Sequence, residues 1–534
     1  MSHSAVLYVT ICVLLSCVLV VHHRRRSHSL PPGPRQLPFL GNVFDIPRKD
    51  VAATFASWSR QYGDIIYMHV LGREFVILNT AKAALDLFDD RGILYSDRPR
   101  SVMSDLVGKT RAVLFHPYGE QLKKHRRLLR NAFNPQRSKD YWQLEEEEAR
   151  RLVSALAEEP KNFLAHVRQY YGAIALRIAY GYQVKGRSGE DRYVNLTNEL
   201  ARITAKASEP GRWLVDSFPI LRYVPAWFPG AGFKRWAQSV RHKTDEFSAE
   251  PYNFAKDIAT RAGQTSFVSE SIELLESEIG GRLSAEDDEL LKWTAASIYA
   301  GGSDTATALT SSFLLIMAAY PDVQRKAQSE LDTVVGRDRF AMMDDQPRLT
   351  YIDALIKEVH RLNPVAPLVP HTTLSDDIYR GYRIPKGSWI MANVWCVSHL
   401  PDCYLRYERV AHSAARRSRR AMMHDPETFP RPDVFEPERF LKEGGACPLD
   451  PRDYIFGFGR RRCPGTHVAD SSFFFAVTYI LAIFDITNPR DPDGNPMRPA
   501  YADGYLSHPK PFTCQITPRS KSAMDLISQL VLSS

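Results

Sequence analysis

The sequence predicts a mainly α-helical protein with small β-sheets (an α+β fold), preceded by an apolar amino-terminal segment. Three observations support this fold class. Apolar residues recur at three- and four-residue spacing over most of the chain up to about residue 360, which is the period of amphipathic helices. Short runs of β-branched and aromatic residues, bounded by turn residues, occur on either side of that helical part. An apolar run followed by basic residues lies at the amino terminus.

Residues 1–30 are expected to form a membrane anchor with a basic flank. The run from Ala5 to Val21 is apolar except for two hydroxyl residues, and a helix of that length spans about 26 Å, enough to cross the thin endoplasmic reticulum bilayer. Basic residues at 22–26 favour the cytosol for that side. A cleaved signal peptide is the alternative, but the charge and the cleavage site that it requires are absent. We expect a single-pass protein of the endoplasmic reticulum membrane, with residues 31–534 as a cytosolic catalytic domain.

Composition is that of an ordinary globular protein. The chain has 534 residues, of which 44% are hydrophobic and 24% charged, and its formal net charge is +8. Its seven cysteines are scattered and form no CxxC pair. This pattern argues against a disulfide scaffold and for a reducing compartment.

Two regions carry the strand signal. Asp64–Val70 and Glu74–Leu78 are rich in β-branched and aromatic residues, and Leu71-Gly72-Arg73 between them favours a hairpin. Similar signals return at 377–379 and 388–391. We therefore expect small sheets on one side of a helical body.

One cysteine lies in a segment with an unusual composition. The segment reads Phe456-Gly457-Phe458-Gly459-Arg460-Arg461-Arg462-Cys463-Pro464-Gly465. Neighbouring positive charge lowers a thiol pKa and favours the thiolate, the form that binds metal. Glycines let the backbone approach a flat ligand closely. A buried structural cysteine is the alternative interpretation.

The spacing Phe-x-x-Gly-x-Arg-x-Cys-x-Gly resembles the haem-binding loop of the cytochrome P-450 family of thiolate-haem monooxygenases. The resemblance covers roughly residues 31 to 520 and implies the cytochrome P-450 fold with haem b (iron protoporphyrin IX). It implies that Cys463 is the axial metal ligand, that Arg461 meets a haem propionate and that Phe456 packs beside the sulfur. A thiolate ligand favours O–O cleavage at haem iron.

Two further segments resemble positions of the family that face the haem propionates. Arg126 matches the arginine of a Trp-x-x-x-Arg pattern, but Leu122 replaces the tryptophan, and we expect His125 to compensate. His371 matches another propionate-facing position. The helix around Arg126 is strongly basic, which is typical of a solvated face. These cations also suit docking of an acidic redox partner.

A helix over Ile298–Thr310 carries Gly301-Gly302-Ser303-Asp304-Thr305. Two mid-helix glycines cost about 1 kcal/mol each relative to alanine, so they indicate either close packing against a neighbour or room for a ligand with local opening of the helix. The segment resembles the oxygen-activation segment of the family. Asp304 and Thr305 supply the acid and the hydroxyl that a catalytic proton relay requires.

Glu358 and Arg361 lie three residues apart on one face of a predicted helix. A surface pair is the default interpretation. The resemblance instead makes them the buried Glu-x-x-Arg pair of the family, closed by Arg439, with a structural role.

Residues 396–420 interrupt the resemblance. Without them, Trp395 joins Ala421 and the sequence continues as in the family. The segment holds six arginines against one aspartate and one glutamate, and we expect an exposed, poorly ordered loop.

We hypothesise that 396–420 is a retained intron. The Trp395 and Cys396 codons necessarily read GT across their junction, an AGG codon for Arg420 would supply the acceptor, and removal of the segment keeps the frame. The alternative is a genuine loop, for example for partner docking. Sequencing the transcript across Trp395 and Ala421 decides between them.

The resemblance as a whole implies a haem-thiolate monooxygenase that inserts one oxygen atom from O2 into a lipophilic small molecule. Electrons would come from NADPH through a separate cytochrome reductase, with cytochrome b5 as a second candidate donor; no nucleic acid is expected as a partner. The run at 379–387 resembles fungal microsomal members, including those of secondary metabolism. Substrate contacts are expected in segments without a motif, such as 100–115 and 205–245. A haem-thiolate isomerase or dehydratase, or a haem-poor inactive membrane protein, remain as alternatives.

Overall fold

The computed structural model describes residues 29–47, 49–186, 188–209, 211–262, 265–395, 431–432, 434–441 and 450–533. The predicted anchor and the 396–420 segment lie outside these residues. The described chain is rich in helices with small sheets, as the sequence predicts.

Helices and strands are numbered here in chain order. The helices are α1 Val51–Tyr62, α2 Ala81–Leu85, α3 Val102–Leu106, α4 Glu120–Ala132, α5 Pro135–Lys139, α6 Trp142–Glu158, α7 Phe163–Tyr180, α8 Arg192–Ala207, α9 Leu214–Ser217, α10 Gly232–Ala262, α11 Phe267–Ile279, α12 Ala285–Ala319, α13 Pro321–Val334, α14 Thr350–Leu362, α15 Arg452–Ile455, α16 Thr466–Ile483 and α17 Lys521–Ser533. The strands are β1 Ile65–Val70, β2 Arg73–Leu78, β3 Leu368–Thr372, β4 Asp377–Tyr379, β5 Tyr382–Ile384, β6 Trp389–Asn393, β7 Phe484–Arg490 and β8 Thr513–Pro518.

The core is built around α12, the longest described helix. Ser284 caps its start by accepting a hydrogen bond from the Asp287 backbone N–H, which satisfies one of the free donors at a helix amino terminus. The helix is apolar on nearly all sides in its second half and packs against α7, α16 and β7. Such a helix is buried in the interior of a large domain.

Among the described helices, α16 alone is both long and apolar enough to cross a membrane by length and composition. It is 67% buried inside the molecule and packs against α6 and α13. Core packing accounts for its composition.

The main sheet has the strand order β1-β2-β6-β3. The predicted hairpin is confirmed: Val70 pairs with Arg73, so the turn is Leu71-Gly72 and Arg73 belongs to β2. Both turn residues have positive φ, 48° and 84°, as the two-residue hairpin turn requires. Strand β6 then pairs in parallel with β2.

Candidate functional site

The loop that carries Cys463 lies between α15 and α16 and is closed by its own backbone. The Cys463 N–H donates to the Phe456 carbonyl at 2.8 Å, and the Thr466 hydroxyl donates to the Cys463 carbonyl at 3.0 Å. Gly459 has a φ of +51°, and a Cβ there would stand 2.0 Å from the Phe88 carbonyl oxygen. The loop therefore needs glycine at this position to pack against the neighbouring turn.

The cysteine side chain is accessible, although protein surrounds it. Cys463 is exposed, yet desolvation raises the pKa of its thiol; the Gly465 N–H and the charge of Arg126 act in the opposite direction but are weaker. Neighbouring arginines lower this pKa as expected, but burial outweighs them, so the expectation that they favour the thiolate is wrong for the protein alone. A metal cation at the sulfur would reverse the balance, since a coordinating thiol loses its proton. We infer that the thiol faces an internal space.

Helix α12 has an accessible face in its middle. Gly301 and Gly302 are exposed, although most α12 residues beyond them are buried. A Cβ on Gly301 would meet nothing within 4 Å, whereas one on Gly302 would lie 3.4 Å from the Ala175 Cβ. The two glycines are thus explained differently: Gly301 borders open space, and Gly302 packs against α7. The helix is continuous here, and the Thr305 Oγ1 donates to the Gly301 carbonyl at 2.7 Å.

Three guanidinium groups that act on one another electrostatically, those of Arg98, Arg126 and Arg461, lie at the cysteine loop. Burial lowers the pKa of Arg98 and of Arg126, and lowers that of Arg461 to about 9. Repulsion by Arg126 adds to the effect on Arg98, and repulsion by Arg98 and Arg126 adds to the effect on Arg461. Among the described carboxylates, Asp97 is the one that opposes these shifts. Three cations with one carboxylate leave an excess of buried positive charge.

Two buried nitrogen atoms beside this cluster have no hydrogen-bond partner among the described residues: Arg98 Nε and His371 Nε2. His371 Nδ1 donates to the Tyr95 carbonyl at 2.7 Å, while burial and then the charge of Arg98 lower its pKa well below 6.5. Buried polar groups in native proteins are paired. A flat group with two carboxylates would supply an acceptor to Arg98 Nε and neutralise the cluster, and its negative charge would favour protonation of His371, which makes Nε2 a donor. These residues therefore fit a haem with its propionates.

Arg461 and Phe456 also make contacts within the protein. The Arg461 guanidinium donates to the Ser96 and His116 carbonyls, both at 2.7 Å, and to the Val113 carbonyl at 3.4 Å. Because a guanidinium has five N–H donors, donors remain for a further acceptor. The Phe456 ring lies 6.1 Å from the ring of His360.

Helix α4 places Arg126 against the same loop. The Arg126 Nη2 donates to the Arg462 carbonyl at 2.9 Å. Leu122 is buried in the main core, so no polar contact replaces the tryptophan at that position. His125 is engaged elsewhere: its Nδ1 lies 2.6 Å from the Thr294 hydroxyl, and burial lowers its pKa to about 4.

The structure brings Glu358, Arg361 and Arg439 together. Arg361 donates to both carboxylate oxygens of Glu358, at 2.7 and 2.9 Å, and Arg439 Nε donates to Oε1 at 3.1 Å. Glu358 and Arg361 have no exposed side-chain surface. The Glu436 N–H adds a bond at 2.9 Å, so the network ties α14 to the segment that follows 396–430.

Three residues that the sequence did not single out lie at this site. His508 Nε2 lies 3.4 Å from Asp304 Oδ1. Lys109 is buried and interacts electrostatically with the Asp304 carboxylate. Arg98 completes the cation cluster. None of the three lies in a recognisable motif, and nothing in the sequence around them indicates a functional role.

A helical fold, an accessible cysteine, open space at Gly301 of α12 and a cluster of cations together fit a binding site for a flat anionic metal cofactor. Comparison with known proteins identifies the family. The family model for Cytochrome P450 matches residues 31–409 and 418–516.

Full-length relatives agree with that match. A cytochrome P450 monooxygenase of Ampulloclitocybe clavipes is 38% identical over 94% of this chain and 89% of its own length. Another, from Postia placenta, is 38% identical over 94% of this chain and 93% of its own. The tryptamine 4-monooxygenase of Psilocybe cyanescens is 35% identical over 97% and 98%. The chain belongs to the cytochrome P450 family, which implies a haem cofactor, and it is an oxidoreductase that incorporates molecular oxygen.

Proposed function

We propose that the chain binds haem b through Cys463 and inserts one atom of dioxygen into a lipophilic small molecule. The observation that carries the proposal is the accessible thiol of Cys463 together with a cluster of three cations that the one carboxylate of Asp97 does not neutralise. When bound, haem with a thiolate ligand supplies the activation of dioxygen.

The residues of the chain have separate tasks in this proposal. The Cys463 sulfur holds the iron, and Arg98, Arg126, His371 and Arg461 neutralise the propionates. The Thr305 hydroxyl and the Asp304 carboxylate would hold and pass protons. The Thr305 Oγ1 is oriented by its bond to the Gly301 carbonyl, and Asp304 by its contact with His508. Glu358, Arg361 and Arg439 hold α14 to the segment around Glu436.

The proposed electron source is NADPH through a cytochrome reductase, with cytochrome b5 as a second donor. Helix α4 offers exposed cations, some of which are neutralised within the chain: Lys123 pairs with Glu120 and Arg127 with Glu278. Arg130 and Arg460 are exposed and have no carboxylate partner among the described residues. Complementary charge of this kind accelerates docking of an acidic partner.

We also propose location at the endoplasmic reticulum membrane. The apolar run at 5–21 is the predicted anchor, and the described part of the chain exposes large apolar side chains in two segments. Phe39 is 97% exposed and Phe44 77%, and Ile220 and Trp227 are 75% and 79% exposed. Large apolar side chains that are exposed close together are typical of surfaces that contact a membrane or a protein.

The class of substrate is proposed from the relatives. They are fungal monooxygenases, and one is named for its action on tryptamine. We infer a lipophilic substrate of fungal secondary metabolism for this chain.

The carbon-monoxide difference spectrum of the reduced, membrane-expressed chain tests the haem assignment. A Soret band of the thiolate type is expected, and Cys463→Ser should remove it while Cys514→Ser keeps it. Absence of the band in protein of normal yield would refute the proposal.

Oxygen and NADPH dependence separates monooxygenation from the isomerase or dehydratase alternative. Turnover that proceeds without reductase and without oxygen would establish the alternative.

A further inference from the structure

Lys109 is a buried cation in a segment that borders the proposed active site. Its side chain is only 5% exposed, and it begins the short 3-10 turn Lys109–Arg111. The ammonium group donates to the Thr204 hydroxyl of α8 and lies 4.9 Å from the centre of the Phe115 ring. A hydroxyl and an aromatic face do not neutralise the charge.

No carboxylate of the described residues forms an ion pair with Lys109. Asp304 of α12 acts on it through space, and the same carboxylate lies 3.4 Å from the His508 Nε2. Burial lowers the pKa of Lys109 to about 7. An ammonium group buried in this way is costly unless an anion is supplied.

Lys109 lies between the cation cluster around Arg461 and helix α12. Arg461 donates to the carbonyls of Val113 and His116, so the segment that follows Lys109 lies against the proposed haem site. The Phe115 ring stacks on Tyr505, with centroids 6.5 Å apart and planes 29° apart. Lys109, Phe115 and Tyr505 therefore form a wall with one positive charge and two aromatic rings beside Asp304.

We propose that Lys109 binds a carboxylate of the substrate, so that the substrate class is a lipophilic acid. This inference rests on the proposed function, because the wall borders a substrate site only if haem occupies the space beside Cys463. A carboxylate would supply both the missing charge and acceptors for the N–H groups of Lys109 that Thr204 does not engage. Phe115 and Tyr505 would contact the apolar body of the same molecule.

Azole probes test the proposal without knowledge of the natural substrate. ω-(Imidazol-1-yl)alkanoic acids of graded chain length bind haem iron through the imidazole and carry a carboxylate into the distal space. Each acid is compared with its matched primary amide by the shift of the Soret band. At the best chain length, the acid is expected to bind at least about tenfold more tightly than the amide, as a charge-assisted hydrogen bond predicts.

Variants assign the preference to the residue. Lys109→Met should abolish the preference for the acid and Lys109→Arg should keep part of it, whereas Lys161→Met, at an exposed lysine, should leave it intact. Each variant is first shown to give the thiolate-type carbon-monoxide band, which excludes misfolding.

Two results would overturn the inference: no chain length at which the acid is preferred, or a preference that survives in Lys109→Met. Failure of the proposed function gives a different result, since a chain without thiolate-ligated haem shows neither the carbon-monoxide band nor an azole shift.

Discussion

At the scale of single residues, buried charge without a counter-ion is the feature that most constrains function. Arg98 illustrates it: burial and a neighbouring guanidinium lower its pKa, and its Nε has no partner among the described residues. Such an arrangement destabilises the protein alone and becomes favourable when an anion binds. If haem binds here as proposed, its propionates would offset the cost of this unneutralised positive charge.

Arg98→Met is expected to weaken haem retention. The variant removes one charge-assisted donor to a propionate, and a loss of about 1.4 kcal/mol corresponds to about tenfold weaker binding. Haem content per protein, measured as the pyridine haemochrome during transfer to excess apomyoglobin, reports it. The matched control is the exposed neighbour Arg100→Met; equal haem loss in the two variants would contradict the role of Arg98.

Lys109→Met is expected to raise thermal stability in a pH-dependent way. The pKa of Lys109 falls from 10.5 in the unfolded chain to about 7 in the folded chain, so the unfolded chain binds more protons between these values. The contribution of this lysine to the free energy of unfolding therefore rises with pH through that window. The gain in Tm from the methionine should be largest below pH 7 and vanish by about pH 10.5. A gain that is independent of pH would refute this.

Sequence reasoning located the residues that have fixed spacing and missed those that do not. Cys463 and Arg461 lie ten residues or fewer from Phe456 in one motif, so a local pattern identifies them. His508 contacts Asp304, and Lys109 interacts with the same carboxylate through space. Both come from segments far from Asp304 in sequence, and only the folded chain brings them near it. The significance of Lys109 comes from desolvation, which is a property of the fold and not of the sequence.

At the scale of elements, α12 is closely packed in its second half but borders open space at Gly301 in its middle. Gly301→Ala and Gly302→Ala should each favour the helix by about 1 kcal/mol, but their effects on ligands should differ. The Cβ of Gly301→Ala enters the open space and should weaken binding of imidazole probes by steric exclusion. The Cβ of Gly302→Ala stands 3.4 Å from Ala175 and should leave that affinity nearly unchanged. Titrations of the Soret shift measure both, and equal losses would show that Gly301 borders no ligand space.

The network on α14 predicts a large loss of stability. Glu358→Gln leaves Arg361 and Arg439 without their shared carboxylate in a site that is closed to solvent, and breaking such a buried pair costs about 3–5 kcal/mol. Urea unfolding monitored by circular dichroism measures it. Lys82→Met, which breaks the exposed pair with Asp86, should cost less than about 0.5 kcal/mol. A Glu358→Gln variant as stable as this control would exclude a structural role for the network.

Strands were predictable where their side chains and turns carried the signal. The β1–β2 hairpin follows from its β-branched residues and from Leu71-Gly72. Strand β3 was not predicted, because Pro370 within it cannot donate to a ladder and argues against a central strand; it is tolerated because β3 lies at the sheet edge. The same edge position holds His371 beside the cation cluster.

At the scale of the whole molecule, surface charge should govern electron delivery. With Arg130 and Arg460 as exposed cations that lack carboxylate partners among the described residues, the rate of reduction by a cytochrome reductase should fall as salt rises from low to physiological concentration. The double variant Arg130→Gln, Arg460→Gln should reduce the rate at low salt severalfold and flatten this dependence. Stopped-flow reduction under carbon monoxide measures it, and an unchanged salt dependence would place the docking surface elsewhere.

Removal of residues 396–420 is expected to raise the fraction of chains that hold haem. The segment separates β6 from the residues that complete the Glu358 network, including Arg439, and the family match itself omits residues 410–417 within it. A loop of this length adds little closure entropy, so any loss of haem must come from its six arginines or from displacement of the neighbouring support. The full chain and the chain without residues 396–420 are compared by the intensity of the carbon-monoxide band, normalised both to haem and to protein. A signal in the shortened chain alone would identify the full chain as a product of intron retention, whereas equal signals, with these codons present in every transcript, would establish a genuine loop.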